Sequence, residues 1–390
     1  MAKACASQPA APAALARAAA LHALAALHAL VVVAGVHAPL AEAALSNPNT
    51  KLPRNAQVAL RRAVPVVNEA AGQVQERLEQ LLFLLRIPQR KPWGDMAAAV
   101  AACQVSLVAD RDGMLAAVPA AQRDAAGDTL ASLGRKLERV AEAVAAQDAD
   151  ATALRTTAAL ADVAALEIAQ APGLAFSLPA AYASRPRLVG RATVELRLQR
   201  SGGAPFAALS DGAGPQQSGR VVLELDGYNA PLTAGNFAAL VQAGYFDGAQ
   251  LAGSPSDEVL FALPSAPPPP PFARTLPLEV RAVGEYEPRY RAPLDVLGSG
   301  ELPVLPLSVY GAVAMARGSE GNDSDAGSFF IFRFARQTAG LGGQAFEEGD
   351  FAVFGYILPE SAELLKQLAT GDRIQSARLV AGQDRLVIPS

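Results

Sequence analysis

Residues 224–248 read ELDGYNAPLTAGNFAALVQAGYFDG. Val221, Leu223 and Leu225 lead into this stretch, with polar Glu224 between the last two. That period-two alternation marks a half-buried strand. Thr233 or Asn236 can then start a short helix that ends at Gly244, because their side chains accept hydrogen bonds from the first free N–H groups. Asp247-Gly248 follows as a turn. A strand, a helix and a turn in so short a span set the scale of the whole C-terminal half.

The same period extends outward. Val194, Leu196 and Leu198 alternate with Thr193, Glu195 and Arg197, and a polar Gly-rich loop from Gly202 to Gly219 joins this strand to the next. Downstream lie GAVAMAR at 311–317, GSFFIF at 327–332 and FAVFGYI at 351–357. The P-x-T-x-x-N-F helix start, the Y-x-D-G turn and these three segments, in this order, resemble the cyclophilin family. DGYNAPLTAGNF and AVFGY are closer still to the large, multidomain cyclophilins of the chloroplast thylakoid lumen. Those proteins also carry a helical domain in front and a stretch similar to LVGRATVELRL at 188–198. The resemblance implies an N-terminal α-helical bundle followed by an eight-stranded antiparallel β-barrel, capped by helices and bearing an apolar groove on one wall.

In front of the barrel the period becomes helical. Val67, Val74, Leu78, Leu81, Leu82 and Leu85 form one stripe, which Pro88 stops. Asp95 can cap a second helix bearing Met96, Val100, Cys103 and Leu107. Asp110 to Gly113 reads as a turn. Leu130, Leu133, Leu137, Val140 and Val144 make a seam too short for a coiled coil, and Asp150 can cap a last helix through Leu154, Leu160, Val163, Leu166 and Ile168. A self-packed bundle accounts for these stripes. The expected division is a targeting segment at 1–43, a helical domain at 44–170, a Pro-containing linker at 171–186 and the barrel at 187–390.

The first 43 residues combine Arg17, an Ala-rich apolar run and the small-x-small site Ala41-Glu42-Ala43. This is the pattern of a removable export signal. A retained anchor is the competing reading, opposed by the alanines, the histidines and Pro39. His22, His28 and His37 are the three histidines of the chain, and all lie in this segment. The remainder therefore has no histidine for nucleophilic or zinc chemistry. Two cysteines cannot make a disulfide framework or a zinc site, and Cys103 sits on an apolar stripe where a buried thiol is inert. With a formal charge of −4 and no long basic block, nucleic acid is not an expected partner. No cofactor motif is present, and contact with a membrane would be peripheral at most.

The chemistry that the resemblance implies is rotation about an X-Pro amide, against a barrier of roughly 18–20 kcal/mol. It needs an apolar pocket for the proline ring and hydrogen bonds to the twisted peptide, one of them toward the proline nitrogen. A rigid guanidinium suits that task. Cyclophilins place it in an F-H-R segment just after the D-G turn. Here Leu251 falls at the Phe, Ala252 at the His and Gly253 at the Arg. The family's F-M-I-Q run falls on Glu258-Val259-Leu260-Phe261. The resemblance places the peptide-binding groove at Leu251, Met315, Arg317, Ser328, Phe330, Phe346 and Phe351. Ordinary barrel core is the competing reading for Phe330 and Phe351.

Three functions remain open on these residues. The first is a weak or inactive isomerase that binds proline-containing or apolar segments as a folding factor. By resemblance its clients are photosynthetic membrane complexes, photosystem II above all. The second is an active isomerase with a relocated arginine, Arg317 or Arg274. The third is a helical scaffold with an inert barrel. Pro267 to Pro271 reads as a stiff surface loop or as a tethered ligand for the domain's own groove. Asn322-Asp323-Ser324-Asp325 lacks the ligands of a calcium loop, and Glu347, Glu348 and Asp350 read as a polar turn.

Overall fold

The computed structural model describes residues 52–389 apart from 54, 89, 211, 213, 255–257, 274, 297, 318–321 and 334–347. Six helices come first: α1 Ala56–Ala63, α2 Glu69–Leu84, α3 Trp93–Ala109, α4 Arg111–Ala116, α5 Arg123–Ala145 and α6 Ala149–Gln170. Four of them form the bundle, with α2 on α3, α3 on α5, α5 on α6 and α6 back on α2. Val74, Leu78, Cys103, Leu107, Leu130, Leu133, Leu137, Leu160, Val163 and Leu166 fill its centre. Leu81, Met96, Val100, Val140 and Val144 fill one end. Burial pushes the Cys103 thiol up to about 11.

Several helix ends differ from expectation. Asp148, not Asp150, caps α6, accepting from Ala151 N at 2.9 Å. Asp95 lies inside the first turn of α3, where no side chain caps. Asp110 to Gly113 runs into α4 instead of forming a turn. Val67 and Leu154 point outward, at 54% and 74% exposed. Val67 precedes α2 and Leu154 lies in the second turn of α6, close to a helix start where periodicity counts few residues to fix the face.

The first helix, α1, turns its apolar face to the barrel while Arg61 and Arg62 pair with Glu79 of α2. Its Ala56, Ala59, Leu60 and Ala63 belong to the barrel core. The boundary between helical and barrel packing therefore falls after α1.

The barrel strands are β1 Arg187–Leu188, β2 Arg191–Gln199, β3 Gly219–Asp226, β4 Gln250–Gly253, β5 Val259–Leu263, β6 Thr275–Pro277, β7 Glu279–Val280, β8 Arg289–Tyr290, β9 Ala312–Arg317, β10 Asp323–Phe332, β11 Val353–Ile357, β12 Arg373–Ala381 and β13 Leu386–Val387. Eight of them close a ring in the order β5, β4, β12, β2, β3, β11, β9, β10, with β10 returning to β5. Every pairing is antiparallel, and β6 adds to the end of β10. β1 pairs with β13, and β7 with β8. Residues alternate inward and outward along β2, as its sequence requires.

Helix α7 (Pro231–Gln242) starts earlier than expected, with Pro231 in its first turn. Proline lacks only an N–H that would go unused there. The cap comes from a distant carboxylate. Glu279 of β7 accepts from Leu232 N at 3.2 Å, Thr233 N at 2.8 Å and the Thr233 hydroxyl at 2.8 Å. Gly235 lets α7 press onto β1, since a Cβ there would lie 2.3 Å from Arg187 Cα. Phe237 of α7 then meets Phe246, Phe329 and Phe354 at 5.0, 5.1 and 4.9 Å between ring centres. Helix α8 (Ala362–Gln367) adds Leu364 and Leu365 to the same core.

Candidate functional site

The wall built from β4, β5, β10 and β9 carries Leu251, Met315, Arg317, Ser328 and Phe330 of the expected groove. Directly paired residues of antiparallel strands share a face. One row across the wall is Leu251, Ala262, Phe329 and Met315. Phe329 packs edge-on against Phe237 and Phe246, so this row faces the interior beneath α7. The neighbouring row is Ala252, Phe261, Phe330 and Ala314. It faces the other way. Its aromatic members continue into Phe351, with Phe261 to Phe330 at 5.6 Å and Phe330 to Phe351 at 5.1 Å, nearly perpendicular.

The expected groove residues thus separate. Leu251 and Met315 are interior, at 1% and 0% exposed. Phe330 and Phe351 stand together in the outer row, 3% and 8% exposed, and Phe261 joins them at 8%. Ser328 is half-buried on β10, and Arg317 is exposed at the end of β9. Phe346, Arg274 and the 1–43 segment lie outside the described residues. Beside Phe351 the cavity bounded by Asn229, Glu279, Arg281, Leu305 and Val353 measures about 10 Å³. That is room for at most one water, not for a proline ring.

Gly253 offers only its backbone. Its N–H already donates to Thr370 Oγ1 at 2.8 Å. Phe261 of β5, paired with Ala252 of β4, presents a ring on this wall. Arg317 Nη2, at the end of β9, donates to Asn322 Oδ1, just before β10, at 3.2 Å. It sits three residues along β9 from Ala314, roughly 10 Å from the aromatic row by strand rise. Asp350 lies near enough for Arg317 to oppose the upward push that burial gives its carboxyl. Arg333, which follows β10, is held by the carbonyls of Leu365 and Leu368 at 3.5 and 2.6 Å. The wall is therefore apolar and aromatic, and none of these guanidiniums is aimed over it.

Glu348, Gly349 and Asp350 form the expected turn before β11, but the Glu348 carboxylate is not solvated. It is 2% exposed and accepts from Leu307 N at 2.7 Å and Ser308 N at 2.9 Å. Asp323 pairs with Arg291 at 2.7 Å, and Ser324 is buried in β10.

Sequence reasoning missed what DGYN does. Asp226 pairs with Arg191 at 2.8 Å, and Arg191 donates to Leu60 O of α1 at 2.6 Å. The Tyr228 hydroxyl donates to Ala171 O at 2.8 Å. Asn229 Nδ2 donates to Ala63 O at 2.7 Å, and Arg281 reaches Asn229 Oδ1 at 3.0 Å. Arg385 holds Pro172 O at 2.7 Å, and the Tyr286 hydroxyl holds Ala175 O. This turn is the seam between helices and barrel. Polar residues crowded before a helix start were its only signal.

Two family profiles match the chain. The CYP38-like, PsbQ-like domain of peptidyl-prolyl cis-trans isomerases covers residues 55–170. The cyclophilin-type peptidyl-prolyl cis-trans isomerase profile covers residues 214–253. Among curated proteins, the chain is 43% identical to the chloroplastic peptidyl-prolyl cis-trans isomerase CYP37 of Arabidopsis thaliana, over 90% of this chain and 74% of that one. It is 31% identical to a putative thylakoid lumen peptidyl-prolyl cis-trans isomerase of Synechocystis, over 90% and 88%. It is 29% identical to chloroplastic CYP38 of Arabidopsis thaliana, over 89% and 77%. A solved cyclophilin from Hirschia baltica aligns at 16% identity and TM-score 0.28, over 48% of this chain and 77% of that chain, too distant to bear on the site.

Proposed function

Because this chain belongs to the cyclophilin-type peptidyl-prolyl cis-trans isomerase family, with a CYP38-like helical domain, we propose that it binds proline-containing or apolar segments and isomerises them weakly or not at all. It works in the thylakoid lumen, the compartment named for its Synechocystis relative, after the 1–43 segment has been removed. The reading extends to assistance in assembling photosynthetic complexes, photosystem II above all, as expected of the large lumen cyclophilins. Among the described residues no helix is long and apolar enough to cross a membrane.

One observation carries this reading. Gly253 stands where the family's guanidinium would be, and its N–H is already committed to Thr370. Without a fixed donor to the proline nitrogen, the twisted amide loses its main electrostatic support. Removing one such donor typically costs a factor of about 10² to 10³. The apolar half of the family's task survives as the Phe261, Phe330 and Phe351 row. That row is nearly closed, so binding requires side chains to yield around it. Nuclear magnetic resonance of ring-labelled phenylalanine tests this. A short X-Pro peptide shifts the Phe261, Phe330 and Phe351 signals if the row is the groove. Shifts confined to other rings would place binding elsewhere.

A second reading, an isomerase with a relocated arginine, has one observation in its favour: Arg317 is exposed at the end of β9 on the same wall. An Arg317→Ala variant separates the two.

A further inference from the structure

Five successive prolines, Pro267 to Pro271, leave β5 and pass over the barrel. Four of them are exposed and one, Pro268, is buried. Pro268 sits on Gly327 of β10. A Cβ at Gly327 would lie 2.7 Å from Pro268 Cγ and Cδ and 2.5 Å from the Tyr245 hydroxyl oxygen. Only a residue without a side chain leaves room for that ring. The Tyr245 hydroxyl donates to Ala266 O at 2.7 Å, one residue before the run. Phe272, just after it, packs partly buried on the barrel core, and its N–H donates to Pro269 O at 2.9 Å.

These contacts are the elements by which proline-rich segments are recognised. The Tyr245 hydroxyl and the Pro268 ring meet over Gly327, and that hydroxyl holds a backbone carbonyl beside the run, while neighbouring prolines stiffen the segment and lower the entropy lost on docking. A loop that served only to span β5 and β6 would need neither the notch nor the carbonyl contact. Gly327 is one residue from Ser328 and three from Phe330 on the same strand, so the strap ends beside the wall described above.

We propose that the notch between Tyr245 and Gly327 is a recognition site for proline-rich segments, which the chain's own Pro267–Pro271 run keeps occupied. A proline-rich segment of another protein binds there only by displacing the strap. The tethered run competes at the high effective concentration of a short linker, so binding from solution is weak while the strap is seated. The site stands on its own geometry and does not require the Phe261, Phe330 and Phe351 row to bind anything.

The test uses the full chain and a fluorescent peptide of five prolines, read by anisotropy. Pro268→Gly should bind the peptide about tenfold or more tighter than the unmodified chain. Adding Gly327→Ala should remove the gain, since the new methyl fills the notch and needs only the tip of Tyr245 to shift. Chymotrypsin provides a second readout that needs no ligand: cleavage after Phe272 should be faster in Pro268→Gly. Unchanged affinity in Pro268→Gly, a gain that survives Gly327→Ala, or unchanged cleavage after Phe272 would each overturn the proposal.

Discussion

Single residues decide what the barrel wall offers. The resemblance puts Gly253 at the guanidinium position and Phe261 at that of the amide, a reading that counts residues from the D-G turn. Which face a residue takes was less legible. Leu251 and Phe330 look alike in a pattern of apolar letters, yet strand pairing sends one inward and the other outward. Tyr228 was not legible at all, because the carbonyl it holds is 57 residues away in sequence. Its role makes a prediction. Tyr228→Phe leaves Ala171 O buried without a donor, which costs about 1–3 kcal/mol. The urea midpoint should fall accordingly while far-ultraviolet circular dichroism stays unchanged. An unmoved midpoint would mean that the seam does not depend on this bond.

At the scale of elements, the helical stripes were legible because their period repeats over many turns. Their ends were not. Asp148 and Asp150 are equally good caps as letters, and the choice rests on which one has extended backbone. The start of α7 was hidden for a different reason: its cap, Glu279, comes from a strand more than forty residues away. The contact between α7 and β1 is close-packed through Gly235. Gly235→Ala forces a methyl to within 2.3 Å of the Arg187 backbone, which cannot swing aside as a side chain could. Overpacking of this kind costs about 1–3 kcal/mol, and thermal unfolding should reveal it. A variant as stable as the unmodified chain would show that α7 can move off β1.

For the whole molecule, two buried glutamates tie stability to pH. Burial pushes Glu167 up to about 8, with Arg61 opposing and Glu79 adding to the rise. Burial pushes Glu279 up to about 7, opposed by the hydrogen bonds from Thr233 and Leu232. Both lie above the ordinary value of 4.5, so the folded chain holds protons that the unfolded chain has released. That contribution is complete below 4.5 and is lost as pH rises through about 7 to 8. It amounts to roughly 3–5 kcal/mol for each group at most, since each tenfold change in proton affinity is worth on the order of 1.4 kcal/mol. The urea midpoint should be lower at pH 8.5 than at pH 5.5, and Glu167→Gln should flatten part of the slope. A midpoint that rises with pH would contradict this assignment.

The same whole-molecule view governs how activity should be measured. With α1 packed into the barrel core and DGYN joined to α1 and to the chain after α6, the barrel is not a free-standing unit. The most direct test is prolyl cis–trans isomerisation of a short X-Pro peptide by the chain from residue 44 onward, beside its Arg317→Ala variant. Rates close to the uncatalysed reaction and equal in both proteins are expected. Clear acceleration that disappears in Arg317→Ala would contradict that expectation, and would make this chain an isomerase that has moved its arginine.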